Sequence, residues 1–170
     1  MRTILGFFKA VAERRIPGLG KAPSLEGIYN YLPVAERFMT SGQPSEAQLE
    51  HIVKRGYHTV LNLAPTSMLE NSVVDERRIL EAAGARYVHL PVDFKNPTED
   101  DFEAFTELMR SSDSEHLWVH CAANMRVSAF MYRYRCSVLG HDPQAAQEDL
   151  LKIWEPFGVW KDFIARIDDG

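Results

Sequence analysis

The sequence predicts an α/β fold in which a mostly parallel central sheet of about four to five strands carries helices on both faces. Short apolar runs alternate along the chain with amphipathic segments of helical period. Capping residues and glycines bound the helical segments. The composition of 170 residues, 45% hydrophobic and 25% charged, fits one compact domain and excludes a disordered or fibrous chain.

Strand-like runs supply the predicted sheet. They occupy residues 28–31, 37–40, 59–63, 86–90 and 116–120, with Pro33 between the first two. Helical segments separate the later runs, which is typical of parallel strands. Parallel sheets of this kind bind ligands beyond the carboxyl ends of their strands. The loops after Leu63, Val92 and His120 are therefore the places where we expect a site.

Capping signals mark the predicted helices. Three pairs predict helix starts: Ser45 with Gln48, Ser72 with Asp75, and Thr98 with Asp101. Gly56 and Gly84 are expected to end the first two of these helices. Further helices are predicted over 124–139, after Asp142-Pro143, and over 159–167. We expect Arg133 and Arg135 on a solvated helix face.

The first twenty residues are set apart as a helical segment and linker, 1–20, before an α/β domain at 21–170. Ile4, Leu5, Phe8 and Val11 recur at helical spacing, and Pro17-Gly18 breaks the pattern. The apolar patch is too short for a signal peptide. A helix docked on the domain or on a partner chain is favoured over a helix at a membrane surface.

Charge and cysteine content exclude several classes of protein. The formal net charge is −5 and the chain has no basic block, so we expect no nucleic-acid partner. Two cysteines do not form a disulfide framework. No apolar run approaches the roughly 20 residues of a membrane span, so we expect no membrane partner. A cytoplasmic location is the resulting prediction.

The loop after the 116–120 run carries the most informative residues. His120 and Cys121 end the strand, and Arg126 and Ser128 lie at the start of the next helix. Free amides of a loop and helix N-terminus bind an anion, and their positive end lowers the pKa of a cysteine thiol. Arg126 can hold an oxyanion through two parallel hydrogen bonds. The pattern indicates a nucleophilic cysteine beside a bound phosphate.

These residues resemble the Cys-based protein tyrosine phosphatase superfamily. The wider chain is similar to a bacterial, dual-specificity-like branch of it, which includes the phosphatase-like domains associated with beta-lactamase-hydrolase-like proteins. The residues that carry this likeness are 38–45 (FMTSGQPS), Gly56, 60–63 (VLNL), Gly84 and 87–92 (YVHLPV). The resemblance implies a dual-specificity-phosphatase-like fold and a Cys-dependent phosphomonoesterase that forms a thiophosphate on Cys121.

The resemblance also implies roles for individual residues. Cys121, Arg126 and Asp93 would be catalytic, with Asp93 as general acid and base because it follows a strand end 28 residues before the cysteine. The phosphate-binding loop would be Ala122, Ala123, Asn124, Met125 and Arg126. His120 would order the loop and tune the thiolate, and Ser128 could hydrogen-bond the sulfur as it leaves. Asp100 and Asp101 are better explained as residues of a helix first turn.

Two features of the loop leave alternatives open. Only four residues separate Cys121 from Arg126, one fewer than in the usual phosphatase loop. A shorter loop also resembles that of rhodanese sulfurtransferases, in which the cysteine carries a persulfide. A catalytically weak, phosphate-binding pseudo-phosphatase is a further alternative. The loop lacks glycine, and Asn124 sits where the turn needs a positive φ, which asparagine tolerates best among non-glycine residues.

Cofactors and partners follow from the same residues. The histidines show no metal-ligand spacing, so we predict neither a metal nor another cofactor. The expected partners are a phosphorylated protein or a small phosphomonoester as substrate, with phosphate or sulfate as an oxyanion in the loop. The oligomeric state is not predicted.

Overall fold

The computed structural model describes residues 24–66, 75–112 and 116–167. Five strands are present in these ranges: β1 (Leu32–Ala35), β2 (Phe38–Ser41), β3 (Thr59–Asn62), β4 (Arg86–His89) and β5 (Leu117–His120). The α-helices are α1 (Glu46–Lys54), α2 (Glu76–Ala82), α3 (Glu99–Ser111), α4 (Met125–Arg133), α5 (Pro143–Ile153) and α6 (Val159–Ala165). A π-helical turn, Tyr134–Val138, continues α4. The predicted segment 1–20 lies outside the described residues.

The five strands form one sheet in the order β1-β2-β5-β3-β4. Only the β1–β2 pair is antiparallel among these strands, which confirms the mostly parallel sheet. β5 lies at the centre, and its last residue, His120, is in register with Ser41 of β2 and Asn62 of β3. Parallel strands end at a common edge, so the segments that follow β2, β3 and β5 meet there.

Helices cover both faces of the sheet, as predicted. Side chains alternate between the two faces along a strand, so Trp118 packs under α1 and α2 while Val119 packs under the other four helices. The first core joins Leu49 and Ile52 of α1 to Leu80 of α2. The second core is larger and is rich in aromatic residues from α3, α4 and α6. Among the described helices, none is long and apolar enough to span a bilayer.

The prediction of a strand at 28–31 is wrong. Those residues form turns, and β1 begins at Leu32 with Pro33 inside it. Proline lacks the N–H that a central strand needs, but β1 is an edge strand among the described strands, with a described neighbour on one side only. Ile28 is nevertheless buried, so its hydrophobic character reflects packing against the α1 and α2 side rather than strand pairing.

Most predicted helix starts are confirmed. Capping boxes form at Ser45 and at Thr98, and Asp142 caps α5 with proline in its first turn. Asp75, rather than Ser72, caps α2: its side chain accepts a hydrogen bond from the Arg78 N–H, and Ser72 lies outside the described residues. Because Asp75 is the N-cap residue, Glu76 is the first residue of the helix.

The prediction that Arg133 faces solvent is wrong. Its side chain is 2% exposed and donates two hydrogen bonds, of 3.2 and 2.9 Å, to the carboxylate of Glu99 on α3. The guanidinium carbon lies 3.9 Å from the ring centroid of Phe102 and 4.6 Å from that of Phe163. A carboxylate and two aromatic faces together compensate for removing the guanidinium from water.

Candidate functional site

The nucleophile candidate Cys121 lies directly after the central strand and is 1% exposed. Its N–H donates to the carbonyl of Ser41 at 3.4 Å. The next residues are tied to the segment after β2 as well: Gln43 N–H donates to the Ala122 carbonyl at 3.2 Å, and Gly42 forms an isolated bridge with Ala123. The first residues of the Cys121 loop, defined here as residues 121–126, are therefore bound by backbone contacts to the end of β2 and the residues that follow it.

The turn into α4 has the conformation expected from the sequence. Asn124 has φ 64° and ψ 4°, in the left-handed region, and it is the N-cap residue of the helix. This confirms the positive φ predicted for Asn124. Met125 and Arg126 follow as the first two residues of α4, where backbone N–H groups have no partner within the helix. Ala122, Asn124 and Arg126 are buried, and Ala123 and Met125 are half-buried.

A pair of asparagines clamps this turn. Asn124 Nδ2 donates to the Asn30 carbonyl at 2.8 Å and to Thr40 Oγ1 at 3.0 Å. In return, Asn30 Nδ2 donates to the Ala123 carbonyl at 2.9 Å. Gly42 allows close approach of the segments after β2 and β5 and of the turn at Tyr29, because a Cβ at Gly42 would lie 2.9 Å from the carbonyl oxygens of Ala122 and Tyr29. Sequence reasoning missed Asn30, which has no local signal linking it to a loop so far along the chain.

The hydrogen bonds and the positive φ of Asn124 predict that two substitutions at this position lower the free energy of unfolding by different amounts. Asn124→Ala loses the hydrogen bonds and places an alanine at positive φ, so we expect a loss of about 3 kcal/mol in the free energy of unfolding. Asn124→Gly loses the same bonds but accepts the backbone conformation, so its loss should be about 1 kcal/mol smaller. Urea unfolding measures both. Equal losses would contradict a backbone contribution at this position.

Arg126 lies beside the loop that follows β4. Its side chain is 4% exposed, and the guanidinium carbon is 5.2 Å from the ring centroid of Phe94. Phe94 is fixed in turn, since its carbonyl accepts a hydrogen bond from Trp160 Nε1 at 2.9 Å. Arg126 therefore connects the Cys121 loop to the segment that contains Asp93.

Asp93 lies at the same edge of the sheet, one residue from Phe94. The preceding residue, Val92, donates its N–H to the Leu63 carbonyl at 3.1 Å, which anchors this segment beyond the end of β3. Asp93 is exposed, and its Oδ1 accepts a hydrogen bond of 2.9 Å from the Lys95 N–H. An exposed carboxylate on an anchored turn is accessible to a substrate, and its role as general acid stays a prediction.

Asp100 and Asp101 occupy the first turn of α3. Asp101 Oδ2 accepts hydrogen bonds from the N–H of Thr98 at 2.9 Å and from its hydroxyl at 2.7 Å. Asp101 therefore completes the capping box, in agreement with its assignment to helix capping.

The hydroxyl of Ser128 is engaged within the protein. It donates to the Met125 carbonyl at 3.0 Å and accepts from Trp154 Nε1 at 3.1 Å. A hydroxyl has one proton to donate. A hydrogen bond from Ser128 to the sulfur of Cys121 would therefore require that proton to turn away from the helix carbonyl.

The ring of His120 makes a buried contact with a carboxylate that the sequence did not predict. Its Nε2 lies 2.6 Å from Oε1 of Glu76, and the two side chains are 0% and 2% exposed. Burial raises the pKa of Glu76, but the charge of His120 and hydrogen bonds from His120, Asn62 and Tyr87 outweigh it and hold that pKa below its ordinary value. In the sequence, Glu76 is indistinguishable from the acidic residues common in helix first turns.

The described residues contain no group of three or more His, Cys, Asp or Glu side chains arranged to hold a metal ion. The prediction of a metal-free site stays a prediction.

Comparisons with known proteins agree with this geometry. A family model described as "DSP-PTPase phosphatase fused to NAD+ Kinase" matches residues 19–155. A beta-lactamase hydrolase-like protein of Xylella fastidiosa is 28% identical over 120 residues, which are 64% of this chain and 28% of that protein. The chain thus corresponds to less than a third of the length of this relative.

Two solved structures have similar folds. A DUF442 protein of Shewanella putrefaciens CN-32, described as a candidate phosphatase, is 33% identical with a TM-score of 0.76, covering 84% of this chain and 93% of that one. The core catalytic domain of the PP-IP phosphatase SIW14 from S. cerevisiae, in complex with citrate, has a TM-score of 0.71 at 15% identity, covering 86% and 90%. At that identity the second comparison shows the fold alone.

Proposed function

The chain belongs to the family of DSP-PTPase phosphatases found fused to NAD+ kinase, and on that premise we propose that it hydrolyses phosphomonoesters through a thiophosphate on Cys121. A cysteine-based phosphatase is the activity that the family and the similar structures support. The intermediate, the roles of single residues and the substrate belong to the proposal.

The observation that carries the proposal is the course of the chain from His120 to Arg126. A buried cysteine directly follows the central strand, a left-handed residue turns the chain, and an arginine follows in the first turn of a helix. This arrangement brings a sulfur, the backbone amides of a helix N-terminus and a guanidinium to one short loop. Free amides at a helix N-terminus favour both a bound phosphate and a thiolate.

The proposed reaction has two displacements at phosphorus. The thiolate of Cys121 attacks, an S–P bond forms as the ester P–O bond breaks, and Asp93 gives its proton to the leaving oxygen. Water then attacks the thiophosphate, Asp93 takes a proton from it, and the S–P bond breaks to release phosphate. Arg126 and the amides of residues 122–126 stabilise the charge on the equatorial oxygens in both steps.

The proposed substrates are phosphorylated proteins or small phosphomonoesters. The reaction as written needs no cofactor, because the cysteine, the arginine and one carboxylate supply the nucleophile, the anion site and the proton transfer. A cytoplasmic location stays part of the proposal.

The test is hydrolysis of para-nitrophenyl phosphate by the wild-type protein between pH 5 and 8 under reducing conditions. We expect turnover, and rapid quenching should trap a protein that is heavier by one phosphoryl group. A mass gain of one sulfur after thiosulfate treatment, without phosphatase turnover, would instead identify a sulfurtransferase. Phosphate binding without either reaction would identify a pseudo-phosphatase.

Asp93→Asn tests the general acid. An amide cannot protonate the leaving oxygen, so we expect kcat for phenyl phosphate to fall about 10²–10³-fold. The fall should be smaller for para-nitrophenyl phosphate, because nitrophenolate leaves more easily without a proton. Asp100→Asn, at an exposed residue in the first turn of α3, is the matched control and should retain full activity. Equal losses on the two substrates would rule out proton donation by Asp93.

A further inference from the structure

Two tryptophans from the C-terminal part of the chain bind segments on either side of the Cys121 loop. Trp154 directly follows α5 and Trp160 lies in α6, and their side chains are 6% and 1% exposed. A buried indole N–H requires an acceptor, and the two indoles have different ones. Trp154 Nε1 donates to Ser128 Oγ of α4 at 3.1 Å, while Trp160 Nε1 donates to the Phe94 carbonyl at 2.9 Å.

The bond from the indole to the Phe94 carbonyl restrains the turn that carries Asp93. On the N-terminal side of Asp93, the Val92 N–H donates to the Leu63 carbonyl at 3.1 Å. On its C-terminal side, the carbonyl of Phe94 accepts the indole N–H. The 2.9 Å bond from the Lys95 N–H to the Asp93 carboxylate lies within the turn and does not join it to the core. Asp93 therefore lies between two backbone groups that bind outside the turn.

The ring of Phe94 extends this contact to the anion site. Its centroid lies 5.3 Å from that of Trp160 and 5.8 Å from that of Trp154. The guanidinium carbon of Arg126 lies 5.2 Å from the same ring. Aromatic pairs and a cation over a ring attract each other at these distances. The backbone and the ring of Phe94 together fix the place of Asp93 relative to Arg126.

Trp160 is itself held by the core. Its ring centroid lies 5.3 Å from that of Phe163 on α6 and 6.2 Å from that of Phe130 on α4. Its backbone N–H donates to the Phe157 carbonyl at 3.2 Å. A loop is positioned as precisely as the packed elements that support it. Trp160 is therefore suited to hold a turn in place.

We propose that Trp160 is a positioning residue for the general acid: its indole N–H, bonded to the Phe94 carbonyl, keeps the Asp93 carboxyl within reach of the leaving oxygen of a phosphate in the Cys121 loop. Trp160 acts through Phe94 and does not itself contact the reacting atoms. The inference rests on the proposed function, in which Asp93 protonates that oxygen.

Trp160→Phe tests this role, because phenylalanine keeps an aromatic ring in the core and removes the N–H. The measured quantity is the ratio of kcat/KM for phenyl phosphate to kcat/KM for para-nitrophenyl phosphate. Phenolate needs a proton to leave and nitrophenolate needs it much less, so a displaced acid lowers this ratio. We expect it to fall about tenfold. A smaller fraction of folded protein would lower both values equally and leave the ratio unchanged.

Trp154→Phe is the matched control. It removes the same kind of hydrogen bond from a neighbouring buried indole, whose six-membered and five-membered rings pack with a centroid 5.9 Å from that of Trp160. The acceptor lost is Ser128 on α4, so the Phe94 carbonyl keeps its bond. The ratio for this variant should equal that of the wild type. An unchanged ratio in Trp160→Phe, or an equal fall in both variants, would overturn the inference.

A second measurement does not require turnover. Hydrogen–deuterium exchange of a peptide covering residues 92–97 reports how firmly the turn is held, since the Lys95 and Asn96 N–H groups donate to Asp93. We expect faster exchange of this peptide in Trp160→Phe than in the wild type or in Trp154→Phe. Unchanged exchange would overturn the inference. If the wild-type protein hydrolyses neither substrate, the proposed function is refuted, and the exchange measurement still decides whether Trp160 holds this turn.

Discussion

Cys121→Ser is expected to abolish hydrolysis of para-nitrophenyl phosphate, with kcat reduced at least about 10⁴-fold. A serine hydroxyl is hardly ionised at neutral pH, so it is a far weaker nucleophile than a cysteine thiolate. The substitution replaces sulfur by a smaller atom at a site that is 1% exposed, so the fold and the loop amides should remain. Steady-state kinetics under reducing conditions measure the effect.

A measurement of oxyanion binding distinguishes a variant that has lost only the nucleophile from one that has lost the anion-binding site. Cys121→Ser should still bind phosphate or sulfate, measured by calorimetry, because Arg126 and the loop amides are unchanged. Cys136→Ser is the matched control: Cys136 lies in the π-helical turn, half-buried, where burial raises the pKa of its thiol. Its activity should equal that of the wild type. Near-normal hydrolysis by Cys121→Ser would refute the proposed mechanism.

Arg126→Lys is expected to reduce kcat/KM about 10³-fold. Lysine keeps the positive charge but presents a single ammonium group in place of a planar fork, so two parallel hydrogen bonds to one oxyanion are lost. The shorter reach of its donors also removes the cation from the face of Phe94, where Arg126 lies at 5.2 Å. Kinetics with para-nitrophenyl phosphate and phosphate inhibition together report the change.

The control for this substitution is Arg135→Lys. Arg135 is 11% exposed and pairs with Asp149 at 2.6 Å, so the same replacement tests a partly buried arginine in the helical extension of α4. We expect a small effect on stability and none on kcat/KM. If Arg126→Lys retains full activity, charge alone suffices at this position and the bidentate role of the guanidinium is wrong.

The parts of the site that were predictable are those encoded within a few consecutive residues. The Cys121 loop follows a strand, turns at Asn124 and enters a helix, and each of these features depends on neighbours in the chain. The caps at Ser45 and Thr98 were predictable for the same reason, because a cap and its partner are three residues apart. The first strand was not, because Pro33 suits an edge strand and edge position depends on the whole sheet.

By itself, the sequence determined the α/β order, the nucleophile candidate and the arginine that follows it, since local periodicity, capping and turn chemistry specify these features. Only the tertiary structure decided which distant residues support the site. The side chain of Asn124 donates a hydrogen bond to the carbonyl of Asn30, which lies 94 residues earlier in the sequence. Glu76 lies under His120, and Arg133 is buried on Glu99. Polar residues have no periodic signature, and their burial is decided by the partner that the sheet and helices bring to them.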